Sequence, residues 1–347
     1  MPQKQEKERI TIYDVAEQAG VAISTVSRVL NDSPDVSEKT RAAVQQVIDD
    51  LRFRPDRTAK TLAKRGTLTL AIAIPTFTTP FHNELLKGVR SRLQAVAGES
   101  DLLLCDLGGD TPEDRLNAFL RRGTVDGLLL SGVPVTKKLY EDLQKLHAPV
   151  VLVGHHHSEL DCFYWDNDEG AKKAVDHLTE RGHRRIGMIR SFTDGHLQTK
   201  RIEGYKEGLQ AAGISYDPEI IRSGTTSKHA GFSEESGYEA MQELMETAPD
   251  LTAVFASSDV QAIGAIKAIT DAGKRVPEDI AVIGYDDIKT SYFIGLSSIA
   301  QQMMDVGERA TEVLMRRLDE SLDDPSIEVI IHPTLKVRHS TDVYRDA

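Results

Sequence analysis

Cysteine is scarce in this 347-residue chain: Cys105 and Cys162 are its only two. Two thiols cannot staple a fold of this length, so packed cores must hold it, and a reducing compartment, the cytoplasm, is the expected location. Both cysteines read as ordinary buried residues. No apolar run approaches the roughly 18 residues that a membrane span needs, so no membrane partner is expected. The N-terminal MPQKQEKERI lacks the apolar stretch of a secretory signal. Catalytic motifs are also missing: there is no P-loop, no GxSxG elbow, no HExxH and no pair of carboxylates placed by a motif. The chain is therefore not read as an enzyme, and no cofactor is expected. The closing VRHSTDVYRDA carries no leucine heptads, which argues against a tetramerising coiled-coil tail.

What is present fits a water-soluble protein of two or three domains, with 40% hydrophobic and 28% charged residues. The net charge of −12 is unevenly spread. Residues 1–66 hold 12 Lys+Arg against 10 Asp+Glu, a net of +2, which leaves −14 on the remainder. Within residues 52–66, Arg52, Arg54, Arg57, Lys60, Lys64 and Arg65 face one acid, Asp56. A basic end on an acidic body can touch phosphates while the body stays off nucleic acid. By itself the pattern is equally that of a solvated surface.

Thr11 is a suitable N-cap, with Asp14 three residues on. Ile12, Val15, Ala16 and Ala19 then form one apolar stripe. Gly20 ends that helix. A second helix over about 23–30 buries Val26, Val29 and Leu30. After the Asn31-Asp32-Ser33-Pro34 turn, Ser37 caps a third helix with Val44, Val47, Ile48 and Leu51 inward. Three short helices with a tight Gly turn describe a helix-turn-helix, although spacing alone equally allows any small helical cap. Beyond a linker to Gly66, short apolar strands alternate with amphipathic helices. Candidate strands are 68–74, 101–107, 125–130, 149–153, 185–189, 251–256 and 279–284, with a helix over 84–96. Such alternation builds parallel sheets, and some 280 residues suit two of them.

The segment TIYDVAEQAGVAISTVSRVLN, from Thr11 to Asn31, resembles the N-terminal signature of the lactose/galactose repressor (LacI/GalR) family at nearly every position. The likeness continues through RFRPDRTAKTLAKRGT, GHRRIGMI, RIEGYKEGLQAAGI, FASSDVQAIGAI and VIGYDDI, and so covers essentially the whole chain. It implies an N-terminal all-α helix-turn-helix domain plus hinge helix, followed by an α/β periplasmic-binding-protein-like body of two Rossmannoid subdomains. The implied divisions are a DNA-binding domain at 1–53, a hinge at 54–67, one subdomain from 68–165 with 296–326, and another from 166–295 with 327–347. The chain would cross between subdomains near residues 165–166, 295–298 and 325–328.

The same resemblance implies a homodimer that reads a pseudo-palindromic operator in double-stranded DNA and answers to a small molecule, acting as a repressor. Ile23 and Ser24 would set base specificity and Arg28 would reach a base, while Thr11, Tyr13, Thr25, Ser27 and Asn31 would anchor phosphates. In the hinge, Ala59 and Leu62 would enter the minor groove, with Leu62 wedged between base steps. Two departures stand out. Ala22 occupies an N-cap position where the family usually has Ser, and Asp56 replaces a common Asn.

On the effector side the matched positions are Phe81, Asp166, Arg201, Phe232, Asp259 and Asp286. Carboxylates, an Arg donor and aromatic faces suit a carbohydrate or its phosphate. For Arg201 the bland alternative is a surface ion pair, and for Asp259 and Asp286 it is helix capping. GFSEESGYEAMQ is similar to the purine-sensing branch, but Gly195 stands where that branch carries a further Arg. A nucleobase-sensing repressor therefore remains the second reading. A sugar-modifying enzyme or a solute-binding protein would share the body but not the helix-turn-helix. His155-His156-His157 lack metal-ligand spacing and read as a solvated loop, so no metal site is expected.

Overall fold

The computed structural model describes residues 12–30, 36–51, 68–96, 100–109, 111–122, 125–146, 148–192, 195–226, 228–319, 322 and 325–343. The chain divides into two compact units, residues 1–68 and 69–347. The expected hinge, 54–67, lies outside the described residues, and so do Thr11, Asn31, Ala59 and Leu62.

The first unit contains α1 (Ile12–Ala19), α2 (Ile23–Leu30) and α3 (Glu38–Leu51). Val15, Ala16, Val26, Val29, Val44 and Ile48 form its core. Gly20 takes φ +64, a conformation that costs a residue without Cβ nothing, and Val21 N donates back to the Ala16 carbonyl at 3.0 Å. That turn starts α2 within three residues of the end of α1. Ser37 Oγ accepts from Thr40 N at 3.3 Å and caps α3, as its position predicts.

The second unit is built on two six-stranded sheets. In chain order its elements are β1 (Leu68–Ile74), α4 (Pro80–Val96), β2 (Ser100–Asp106), α5 (Pro112–Arg122), β3 (Gly127–Ser131), α6 (Lys137–Gln144), β4 (Val150–Val153) and β5 (Asp161–Trp165). There follow α7 (Asn167–Glu180), β6 (Ile186–Ile189), α8 (His196–Ala211), β7 (Ile221–Arg222), α9 (Glu234–Thr247), β8 (Ala253–Ala256), α10 (Asp259–Asp271) and β9 (Ala281–Asp286). The chain closes with α11 (Lys289–Phe293), β10 (Ser297–Ala300), α12 (Met303–Leu318), β11 (Glu328–Ile331) and β12 (Thr334–Lys336). The strand orders are β11-β5-β4-β3-β1-β2 and β12-β10-β9-β8-β6-β7. Runs such as Leu70–Ile74 and Ala253–Ala256 are buried throughout, as strands covered by helices on both faces must be. β12 runs antiparallel to β10, while β3, β4, β5, β6, β8 and β9 pair in parallel with their neighbours. Each sheet therefore makes one lobe.

Two of the expected crossings are displaced. The first falls after Trp165, as expected. The second is not at 295–298, because Ser297–Ala300 pairs in parallel with Ile283–Asp286 and stays in the second sheet. The chain leaves that lobe at Gln301-Gln302, where Gln302 turns through φ +56. The third is not at 325–328, because Glu328–Ile331 extends the first sheet beside Cys162–Trp165. It falls at His332-Pro333, between β11 and β12. Each displacement follows from one short strand that opens on polar residues, Ser297-Ser298 in β10 and Glu328 in β11, and so lacks a continuous apolar run.

Helices close on each other where glycine permits it. A Cβ at Gly88 of α4 would overlap the Met304 carbonyl of α12, and one at Gly307 would overlap Leu85 O. Arg317 on α12 donates to both carboxylate oxygens of Asp161 at 2.8 Å, fixing that helix to the start of β5.

Candidate effector site and nucleic-acid interface

On α2 the apolar stripe and the exposed face are separated. Val26 and Val29 are inside, whereas Ile23 is 41% exposed and Ser24 and Arg28 are exposed. Ile23 is not part of the core formed by Val15, Ala16, Val26, Val29, Val44 and Ile48, which leaves it available on the first turn of α2. Thr25 is half-buried. Tyr13 and Ser27 sit on α1 and α2, but their side chains are outside the description. Ala22 occupies the N-cap position of α2: its carbonyl accepts from Thr25 N at 2.8 Å and Val26 N at 3.2 Å, and its side chain offers no oxygen to the free N–H groups.

In the second unit the carboxyl ends of the parallel strands converge where the chain crosses between lobes, the usual place for a ligand in such sheets. Arg201, on α8, is only 2% exposed. Its Nε donates to Asn167 Oδ1 at 3.2 Å and its Nη1 to the Ser257 carbonyl. Its guanidinium carbon lies 3.7 Å from the centre of the Tyr285 ring, and Nη2 is 3.9 Å from Asp286 Oδ1. A surface ion pair is thereby excluded, because this cation is held by stacking, a side-chain amide and a backbone carbonyl. Asp286 ends β9 at φ +118, an uncommon conformation for a residue with a Cβ. Gln301 Nε2 donates to its Oδ1 at 2.6 Å. Burial pushes the Asp286 carboxyl above the usual range, with Arg201 acting in the opposite sense.

Aromatic side chains adjoin this cluster through Gln301. Trp165, the chain's single tryptophan, ends β5 and donates through Nε1 to the Gln301 carbonyl at 2.8 Å. Phe81, on α4, has its ring centre 6.2 Å from that of Trp165 and 5.2 Å from His82. His82 is pushed down to about 4, first by burial and then by nearby His229.

The remaining expected residues divide. Asp166 caps α7, accepting from Glu169 N at 3.3 Å, and borders the cleft at the first crossing. Phe232 is half-buried behind the turn at Lys228–Gly231. Among the described residues its ring meets no other ring. Asp259 is displaced from its expected role. It is fully buried, accepting from Ser298 Oγ at 2.6 Å, Ile288 N at 2.9 Å and Ser291 Oγ at 2.6 Å. It therefore organises the segment joining β9, α11 and β10 and presents no free oxygen to a ligand. The capping alternative also fails for Asp259, because Ser258 caps α10. Burial raises its carboxyl first, and the charge of Asp286 adds to this. The histidine run is not uniformly solvated either: His155 is half-buried, and burial followed by nearby His196 lowers it.

Asn167, Tyr285 and Gln301 complete the cluster and were not singled out from sequence. Tyr285 and Asn167 each adjoin a selected aspartate, in GYDD and WDND, so the signal was present one residue away. Gln301 had none, because its role depends on the second crossing falling at that residue. A separate crevice of about 460 Å³, lined by Pro80, Lys87, Arg90 and Lys289 among others, shares no residue with this cluster.

Comparison with known proteins agrees with both units. Residues 11–56 match the family model described as bacterial regulatory proteins, lacI family, and residues 175–341 match a periplasmic binding protein-like domain. The chain is 34% identical to the HTH-type transcriptional regulator CelR of Thermobifida fusca, with 96% of this chain and 99% of that protein covered. It is 32% identical to catabolite control protein A of Priestia megaterium, with 96% and 99% covered. Among solved structures, the CelR–cellobiose complex superposes with a TM-score of 0.67 at 31% identity, covering 96% of this chain and 100% of that one.

Proposed function

Because the chain belongs to the LacI family of bacterial regulatory proteins, and is thus a DNA-binding transcription regulator, we propose that it represses as a homodimer whose operator affinity is set by a sugar held between the two lobes. The reading places it in the cytoplasm, with its DNA target.

The observation that carries the sugar reading is the pairing of Arg201 and Asp286 at the strand ends, linked through Gln301 to Trp165 and its neighbour Phe81. A carboxylate accepts from vicinal hydroxyls, a guanidinium donates to them, and aromatic faces cover ring C–H groups. The structural relative with bound cellobiose supports the same ligand class. Binding would draw the lobes together about the crossings at Asp166, Gln301-Gln302 and His332-Pro333. That closure would alter the separation of the two hinge segments in a dimer.

Thermal unfolding with a panel of cello-oligosaccharides, monosaccharides, sugar phosphates and nucleobases tests the ligand. A sugar present at 100 times its Kd should add about 2.7 kcal/mol of stability. Asp286→Asn should abolish the gain, and a response confined to nucleobases would replace the sugar by a purine. On the DNA side, gel shifts with the chain's own upstream DNA should show that Arg28→Ala relaxes base preference by about 1–3 kcal/mol at one position. Leu62→Ala should reduce affinity and bending together.

A further inference from the structure

Two of the three crossings meet at a group of side chains in which Asp166, at the border of the effector cleft, is joined by Glu169 and His332, which have no part in the effector reading. His332, at the third crossing, hydrogen-bonds through Nδ1 with Glu169 Oε2 at 2.6 Å, and the same nitrogen is 3.8 Å from Asp166 Oδ2. The three ligand-type atoms lie within 4.8 Å of one another. Asp166 and Glu169 stand on the first turn of α7 at the first crossing. The group therefore joins the segment that leaves the first lobe after β5 to the segment that leaves it after β11.

We propose that Asp166, Glu169 and His332 form a site for a borderline divalent transition metal, Zn2+ for choice, which ties the first and third crossings together. Ligand atoms around Zn2+ sit about 2.0–2.2 Å from the ion. Neighbouring ligand atoms are then roughly 3–3.5 Å apart, so the 2.6 and 3.8 Å separations need only sub-ångström adjustment. One imidazole nitrogen with two carboxylate oxygens selects Zn2+ over Mg2+, which takes oxygen donors and gives up its water reluctantly. Asp166 Oδ1 is engaged by the Glu169 N–H, which leaves Oδ2 for the ion. Glu169 Oε1 is engaged by Lys173 Nζ at 2.8 Å, which leaves Oε2. Lys173 also donates to the Pro333 carbonyl at 3.0 Å, so one lysine orients both the glutamate and the backbone beside the histidine. Its positive charge and the amino end of α7 oppose a cation, which limits the site to modest affinity and makes it a regulatory rather than a structural one. The ion would replace the His332–Glu169 hydrogen bond, with water completing its coordination.

The test is a competition titration of full-length dimer with Zn2+ against a chromophoric chelator, run on the parent, His332→Ala and Glu169→Gln. The parent should take up one equivalent per chain. Each variant should bind at least tenfold more weakly while keeping its metal-free melting temperature within a few degrees. Mg2+ in tenfold excess should not compete. Unchanged uptake in both variants would assign the metal elsewhere, for example to the histidines around the cleft, and would overturn the proposal. Equal competition by Mg2+, or no uptake by the parent, would overturn it too. The sugar reading stands or falls separately, since the titration contains no sugar and neither variant alters Arg201 or Asp286.

Discussion

His177, on the inner face of α7, is 3% exposed and accepts from Arg181 Nη1 through Nδ1 at 3.0 Å, while its Nε2 is 2.7 Å from Thr341 Oγ1. Those partners require the neutral ring. Burial first, and then the charge of Arg181, lower its titration to about 4. A histidine held neutral in the fold contributes stability that is complete above its unfolded value of about 6.5, and that stability is lost as pH falls towards 4. His177→Gln keeps a donor and an acceptor but does not titrate. Denaturant unfolding at pH 7 and pH 4.5 should show the parent losing about 2–3 kcal/mol more than the variant over that interval. Asp259 illustrates the opposite residue-scale lesson. Its place in ASSD marks it as important, and its three donors show the importance to be architectural. Motif position identifies a constrained side chain without saying what constrains it.

At the level of elements, α2 is the part most open to improvement. Its first turn has no side-chain cap, and Ala22 is exposed, so a hydroxyl there would meet nothing. Ala22→Ser should stabilise the helix by about 1 kcal/mol. Slower hydrogen exchange at Thr25 and Val26, with operator contacts unchanged, would report it. The helices of the first unit, and most strands of the body, were legible because their apolar periods are long: Val44–Ile48 on α3, or Leu70–Ile74 in β1. The strands at Ser297–Ala300 and Glu328–Ile331 were not, since Ser297-Ser298 and Glu328 break the apolar run that marks equally short strands such as Val150–Val153. The same limit hid Gln301. Arg201, Asp286 and Phe81 were accessible through motifs, but the stacking of Arg201 on Tyr285 depends on two distant strands and a helix and has no local trace.

For the whole molecule, two groups of neighbouring exposed apolar side chains stand out. Leu103 and Leu104 lie on β2, the edge strand of the first sheet, and Tyr292 and Phe293 project from α11, 69% and 72% exposed, with Ile294 following. Edge strands and aromatic side chains left in water are where a second copy of the chain gains most by docking. Phe293→Lys should lower dimer affinity at least tenfold in sedimentation velocity experiments. Operator affinity should fall with it, because a half-site read by one recognition helix carries too little specificity.

Only two residues, His332 and Pro333, separate the edge strand of one sheet from the edge strand of the other. Neither lobe is consequently a contiguous stretch of sequence. Each would have to be assembled from two pieces of chain, and no single cleavage can release one intact. A protease cut just before Glu328 would strip a border strand from both sheets together, so the two halves of the sensor should be lost as one cooperative unit.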